Sequence, residues 1–367
     1  MPRTLKSTPL RDGFWMPAEF EPHDACWMLW PQRPDNWRQR AQPAQRAFTA
    51  VAAAIARFEP VIVGASAQYY AGARAALPPA VRVVELSSDD AWMRDVGPSF
   101  VVNAAGALRG VHWRFNAWGG LYQDYRRDQL VAQKVLELAG CERYCAPFIN
   151  EGGAIHVDGQ GTVLVTEQCL LRRNPSLNRA QIETMLKRYL GASCVIWLGE
   201  GVINDETGGH IDNLACFARP GEVCLTWSDD PDDPQHRVSK DAWERLMAAR
   251  DARGRRLLVH RLPSPGPLYM TRREAAGIAA SSAIRALRAG QRLAGSYVNF
   301  YLANGALILP LLDASTDGAA RRMLRRVFPR RRIVGVPARE ILLGGGDLHC
   351  ITQQQPRRGP RRRTRID

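Results

Sequence analysis

The chain has 367 residues, a formal net charge of +14 and an apolar share of 46%, ordinary for a globular protein of one large domain or two to three small ones. Its longest apolar stretch, residues 50–58, is too short to span a membrane, and the N-terminal MPRTLKSTPLRDGF has no secretory h-region. Eight scattered cysteines form no disulfide framework, Cys141 and Cys145 lack a second Cys/His pair for zinc, and a reduced, cytoplasmic setting is expected.

In chain order, residues 44–58 predict a helix, 60–63 and 81–86 strands, and 87–95 a polar loop; a hairpin follows at 99–103 and 107–113. The second unit has a helix at 128–138, a strand at 142–146, a loop at 148–153, and a hairpin at 154–157 and 162–166 turning at Asp158-Gly159. The third has a helix at 178–190, a strand at 194–198, a loop through Gly209, and a hairpin at 210–217 and 222–227 turning at Pro220-Gly221. The fourth has a helix at 239–250, a strand at 256–262, an insertion, and a hairpin at 296–302 and 306–310 turning at Asn304-Gly305. The fifth has a helix at 318–328 and a strand at 333–336, then residues 344–353, which read as a strand without a return partner. Residues 24–30 (DACWMLW) supply one and close the ring.

Five helix–strand–loop–hairpin units without a Pro/Ser-rich linker predict one repeat-built α/β domain over residues 1–356. The positive charge concentrates in 321–332 and in the tail 357–367, read as a solvated arginine face and a disordered basic tail. No helix-turn-helix, RNP or finger motif accompanies it, so a nucleic-acid partner is not expected.

Each unit carries unusual polar residues at the mouth of its hairpin: Asp95; Glu151; His210 with Asp212; Tyr297 with Asn299; and Cys350. In a ring these positions converge. Cys350 follows Gly344-Gly345-Gly346 and precedes Thr and Gln residues, where a core strand would carry Val or Leu. Its neighbour His349 would point to the opposite face of a strand, which sends the search for an acid/base partner to His210. On a strand, His210 and Asp212 share a face. An imidazolium lowers a thiol pKa and can serve as general acid and base.

Asp89, Asp90, Asp95, Glu151, Asp205, Glu206, Asp212 and Asp347 all fall in these motif segments of an otherwise basic chain. Clustered carboxylates repel unless a cation sits among them. With one candidate His and no tight carboxylate spacing, a guanidinium fits better than a metal, because two carboxylates can hold its plane. Trp92 and Trp118 would wall the slot or stack on the cation, with core packing the equal alternative.

The motifs MPAEFEPHDACWMLWP, DDAWMRDVGPSFVVN, RFNAWGG, NEGGAIHVDGQG, NDETGGHIDN, PGPLYMT, GSYVNFYLANG and GGGDLHCITQQQP together resemble the agmatine deiminase family, over residues 13–356. That family belongs to the guanidine-modifying (pentein) superfamily, with arginine deiminases and bacterial peptidylarginine deiminases. The resemblance implies a five-bladed α/β propeller and hydrolysis of agmatine to N-carbamoylputrescine and ammonia, a step of polyamine biosynthesis. It implies Cys350 as nucleophile, His210 as acid/base, Asp95 and Asp212 as the guanidinium clamp, and Glu151 as their support. Glu206 would meet a substrate amine. No metal or organic cofactor is implied, and a homodimer is the expected assembly. Alternatives are the same chemistry on free or peptide-terminal arginine, the free amino acid needing a cationic carboxylate clamp from Arg94 or another Arg, and a weakened member binding nucleic acid through its arginines. The chain departs from the family pattern at Asp89 and Asp347, where Asn is usual, and at Gly208, where Asp or Asn is. A negative Asp347 would raise the thiol pKa of Cys350.

Overall fold

The computed structural model describes residues 3–282 and 288–360. Its strands form five sheets of three or four strands each. Each sheet pairs one strand antiparallel with a second, which pairs parallel with a third. The sets are Ser99–Val102, Leu108–Arg114 and Arg143–Ile149; His156–Val157, Thr162–Thr166 and Cys194–Leu198; Ala215–Arg219, Glu222–Trp227 and Leu258–Pro263; and Tyr301–Ala303, Ala306–Leu311 and Arg332–Pro337. In the fifth, Gln353–Pro356 pairs antiparallel with His23–Leu29, which pairs parallel with Val61–Ala65. The N-terminal segment thus supplies the missing return strand.

A helix makes each parallel crossover: Asp128–Leu138, Arg179–Leu190, Pro234–Ala248, Asp317–Val327 and Gln42–Ile55. Each is amphipathic. Asp317–Val327, for example, buries Ala320, Leu324 and Val327 and exposes Arg325 and Arg326. Arg179–Leu190 starts with a capping box between Asn178 and Gln181 and stops at left-handed Gly191. Hairpin turns follow local chemistry: Asp158 Oδ1 accepts from Gln160 N and Thr162 N, both at 2.8 Å.

Several expected boundaries move. Ala67–Ala76 and Glu167–Arg173 are further helices. Residues 210–214 are not strand: Ile211–Leu214 is one helical turn with His210 at its N-cap, and the strand starts at Ala215. The expected strand 296–302 is reduced to Tyr301–Ala303, and residues 344–351 turn rather than extend. Of the tail, Arg357 N donates to Pro22 O at 2.8 Å and Arg358 N to Asp24 Oδ2 at 3.0 Å, while 361–367 lie outside the described residues. No described helix is long and apolar enough to cross a membrane.

Candidate active site

Every sheet's first strand is preceded, within five residues, by one or two of the expected site residues: Asp95 before Ser99, Glu151 before His156, His210 and Asp212 before Ala215, Asn299 before Tyr301, and Cys350 before Gln353. These residues gather in one buried cluster. Gly153 marks its centre, since a Cβ there would lie 2.5 Å from His210 Nδ1 and 2.9 Å from both Asp212 Oδ2 and Asp95 Oδ1. Only glycine leaves that space open.

The loop before His210 is built by Asp205, whose carboxylate accepts from Thr207 N, Thr207 Oγ1, His210 N and Asn213 Nδ2 at 2.6–3.2 Å. Gly208 and Gly209 take φ of +81° and +92°, which β-carbon residues rarely adopt. This geometry bends the segment into a helical turn and replaces the expected strand face. His210 Nε2 lies 3.3 Å from Glu151 Oε2, and its Nδ1 3.8 Å from Asp95 Oδ1. Arg173 Nε donates to Glu151 Oε1 at 2.7 Å.

Cys350 also sits in a turn. Its Sγ lies 3.4 Å from Asn299 Nδ2 and 3.9 Å from Asp212 Oδ2. Because the chain turns there, the alternation argument fails. His349 lies with Cys350 beside the same carboxylate, its Nδ1 2.8 Å from Asp212 Oδ2. Tyr297 leaves the cluster, its hydroxyl donating to Asp317 Oδ1 at 2.6 Å.

Electrostatics follow from burial among like charges. Burial, then Asp212 and Asp95, push the Cys350 thiol far up. Burial pulls His210 down, but the Asp95 charge and bonds to Cys169 and Glu151 outweigh it and hold the ring protonated. Asp95 is pushed up to about 6 by burial, with His210 pulling it down and Asp212 and Glu151 pushing it up. Burial raises Glu151 and Asp212 too, but Arg173 and the His349 hydrogen bond respectively reverse the sign. Asp347 is driven well up by burial, which favours its neutral form. The charges that push the thiol up most are Asp212 and Asp95, while a backbone hydrogen bond at Asp347 pulls it down.

A narrow slot reaches the cluster, lined by Trp92, Asp95, Trp118, Glu206, Gly346 and Cys350 among others. Trp118 Nε1 donates to Asp95 Oδ2 at 2.9 Å, and Trp92 Nε1 to Asp90 Oδ2 at 3.0 Å. Asp90 also accepts from Trp37 and Asn36, and Asp89 from Arg127 N, so both acids are structural. Arg94 does not line the slot; it donates to His349 O and to Gln354 Oε1. A larger groove of about 810 Å³, beside Phe14, Trp15 and Val157, holds none of the clustered residues.

Among the described residues, two trios have metal-ligand spacing, Glu19–His156–His349 and Glu151–Cys169–His210. Each already has an arginine at its carboxylate, Arg94 Nη2 3.8 Å from Glu19 and Arg173 Nε 2.7 Å from Glu151, so a cation's charge is supplied there by the chain itself. Sequence reasoning missed Glu19, Arg173 and Gly153. Only Gly153 carried a signal, as half of a Gly-Gly pair beside Glu151.

Residues 15–356 match the Porphyromonas-type peptidyl-arginine deiminase family. The chain is 57% identical over 361 residues to an agmatine deiminase of Stutzerimonas stutzeri (strain A1501), covering 96% of this chain and 98% of that one. The structure of an Enterococcus faecalis agmatine deiminase superposes with a TM-score of 0.94 at 45% identity, covering 98% and 100% of the two chains. A C. jejuni agmatine deiminase, a cysteine-to-serine variant with substrate bound, superposes at 0.81 with 28% identity over 95% and 97%. The fold is the mixed α/β fold of these enzymes, and the chain belongs to the Porphyromonas-type peptidyl-arginine deiminase family.

Proposed function

We propose that this protein hydrolyses agmatine to N-carbamoylputrescine and ammonia. One observation carries the reading: a buried thiol, two carboxylates and an imidazolium surround a spot where the acceptor Asp212 Oδ1 has no hydrogen-bond partner among the described residues. A guanidinium brings planar N–H donors and positive charge to that spot. Its charge offsets Asp95 and Asp212, the two groups that oppose thiolate formation, and the thiol proton is released to solvent. Cys350 Sγ then attacks the central carbon. His210 protonates the departing nitrogen, the C–N bond breaks, and ammonia leaves a covalent S-alkylthiouronium. The now neutral His210 takes a proton from water and hydroxide adds; collapse breaks the C–S bond, the hydroxyl proton passes to the departing sulfur, and the thiol and the ureido product are released. Glu151, held by Arg173, keeps His210 oriented and charged.

The slot supports an amine-ended substrate over arginine. Its lining carries Glu206 and, among the described residues, no cation to receive a carboxylate. We read the five sheets as blades of one propeller forming a single catalytic domain over residues 1–356, because each delivers its site residue from the same place in its own sequence. Eight free thiols support a reduced, cytoplasmic setting.

The test is ammonia release from agmatine, arginine and a C-terminal-arginine peptide, with wild type beside Cys350→Ala. Turnover confined to agmatine and lost in the variant is expected. Unchanged turnover in Cys350→Ala would overturn the mechanism, and a preference for arginine the substrate.

A further inference from the structure

Behind Asp212 lies a buried pair that takes no part in bond making. His349 Nδ1 is 2.8 Å from Asp212 Oδ2, and its Nε2 is 2.7 Å from Glu19 Oε2. Ionised carboxylates only accept hydrogen bonds, so a ring that bonds one at each nitrogen must carry a proton on both. His349 is therefore an imidazolium, 3% exposed, between two carboxylates that are 4% and 1% exposed.

The charged and titratable groups around the ring are few. Arg94 Nη2 lies 3.8 Å from Glu19 Oε2, and Arg94 Nε donates to His349 O at 3.3 Å. The His156 ring stacks on His349 with centroids 6.1 Å apart. His156 Nδ1 accepts from Phe217 N, and burial lowers the ring to about 4, so it is neutral and leaves His349 the sole charged imidazole on this side. The two carboxylates outweigh burial and Arg94 in setting the charge on His349.

Both ends of the arrangement are fixed by backbone. Glu19 Oε1 accepts from Leu302 N at 2.8 Å, and His349 N donates to Asn299 Oδ1 at 2.9 Å. Asp212 is thus held through Oδ2, and its Oδ1 has no hydrogen-bond partner among the described residues. Without the imidazolium, Asp212 would be a buried carboxylate near Asp95 and Glu151 and would take up a proton.

We propose that His349, held as an imidazolium by Glu19, is the positioning residue of the guanidinium clamp: it keeps Asp212 ionised and turns Oδ1 to the ligand. The inference rests on the reading of Asp212 as a guanidinium ligand. It assigns His349 to substrate affinity and leaves proton transfer to His210.

Glu19→Gln keeps an acceptor for Nε2–H and removes one of the two charges that hold the proton. In this variant KM for agmatine rises roughly 10- to 100-fold with kcat within about threefold, the size of a charge-assisted hydrogen bond lost from binding. The ring then titrates at lower pH, so KM climbs further as pH rises through its new pKa, a limb the wild type lacks. His349→Gln has high KM at every pH and no such limb. A Glu19→Gln profile that superimposes on wild type, or a loss confined to kcat, would overturn the proposal. NMR of ring-labelled histidine in the unliganded wild type, assigned with His349→Gln, reads the charge without turnover. A His349 ring neutral at pH 7 would overturn the proposal whatever the variants do. Wild type inert toward agmatine but with a charged His349 would instead remove the substrate reading.

Discussion

Asp95 accepts hydrogen bonds from Trp118 Nε1 and Gly153 N, yet burial still pushes it up to about 6. An acid raised in the folded protein is ionised only above that value, so its part in the clamp is lost as pH falls through it. We expect kcat/KM for agmatine to drop below about pH 6, and Trp118→Phe, which removes one donor, to move that limb upward. The sign for stability is opposite: a raised acid costs the fold as pH rises from 3.8 towards 6. Asp95→Asn should therefore lower turnover by about 10³-fold or more while leaving the melting temperature at pH 8 equal or higher. Asp347 makes the contrasting case. Burial favours its neutral form, so Asp347→Asn should leave the pH dependence of Cys350 alkylation by iodoacetamide unmoved. The clustered residues were legible because Cys350, His210, Asp95, Asp212 and Glu151 are costly in a core and so stand out. His349 was set aside only because a strand was assumed beneath it, and Glu19 and Arg173 act through contacts that no local pattern encodes.

At the level of elements, the longer crossover helices were readable from periodicity, with Asn178 and Gly191 marking the ends of one of them. The short turns at the cluster were not. Ile211–Leu214 owes its shape to the Asp205 hydrogen bonds and two left-handed glycines, which override the strand preference of its apolar neighbours. Gly152–Ala154 is one turn of 3-10 helix, placing Gly153 N on Asp95. Gly153→Ala should lower kcat/KM by about 10²-fold or more, because its Cβ would displace His210 or both clamp carboxylates. A circular dichroism spectrum matching wild type would place that loss in the site; full activity would contradict the packing described.

Across the whole molecule, neighbouring sheets are tied by buried polar groups as well as apolar clusters. Glu59 accepts from Tyr301 hydroxyl at 2.6 Å and Asn304 N at 2.7 Å, and its Oε2 lies 3.2 Å from His23 Nδ1, joining the fourth sheet to the fifth. Glu59→Ala should cost roughly 3–5 kcal/mol in denaturant unfolding, since it strands several buried donors. The five-unit rhythm was visible in the sequence because hairpin turns recur between helices, while the pairing of sheet with sheet depends on contacts remote in the chain.

The strand after Cys350 pairs with His23–Leu29, and Trp27 Nε1 meets Gln355 Oε1 across 328 positions. A ribosome releases the first of these partners well before the second, since they lie 328 positions apart. Until the later one emerges, the earlier strand keeps an open edge, and neither the nucleophile nor the Glu19–His349 contact exists. If Cys350 is the nucleophile as proposed, a chain truncated before it should be inert toward guanidines, which an ammonia-release assay checks. Closing so long a loop makes the arrival of the thiol a late folding event, so catalytic competence would itself report that the fifth sheet has formed.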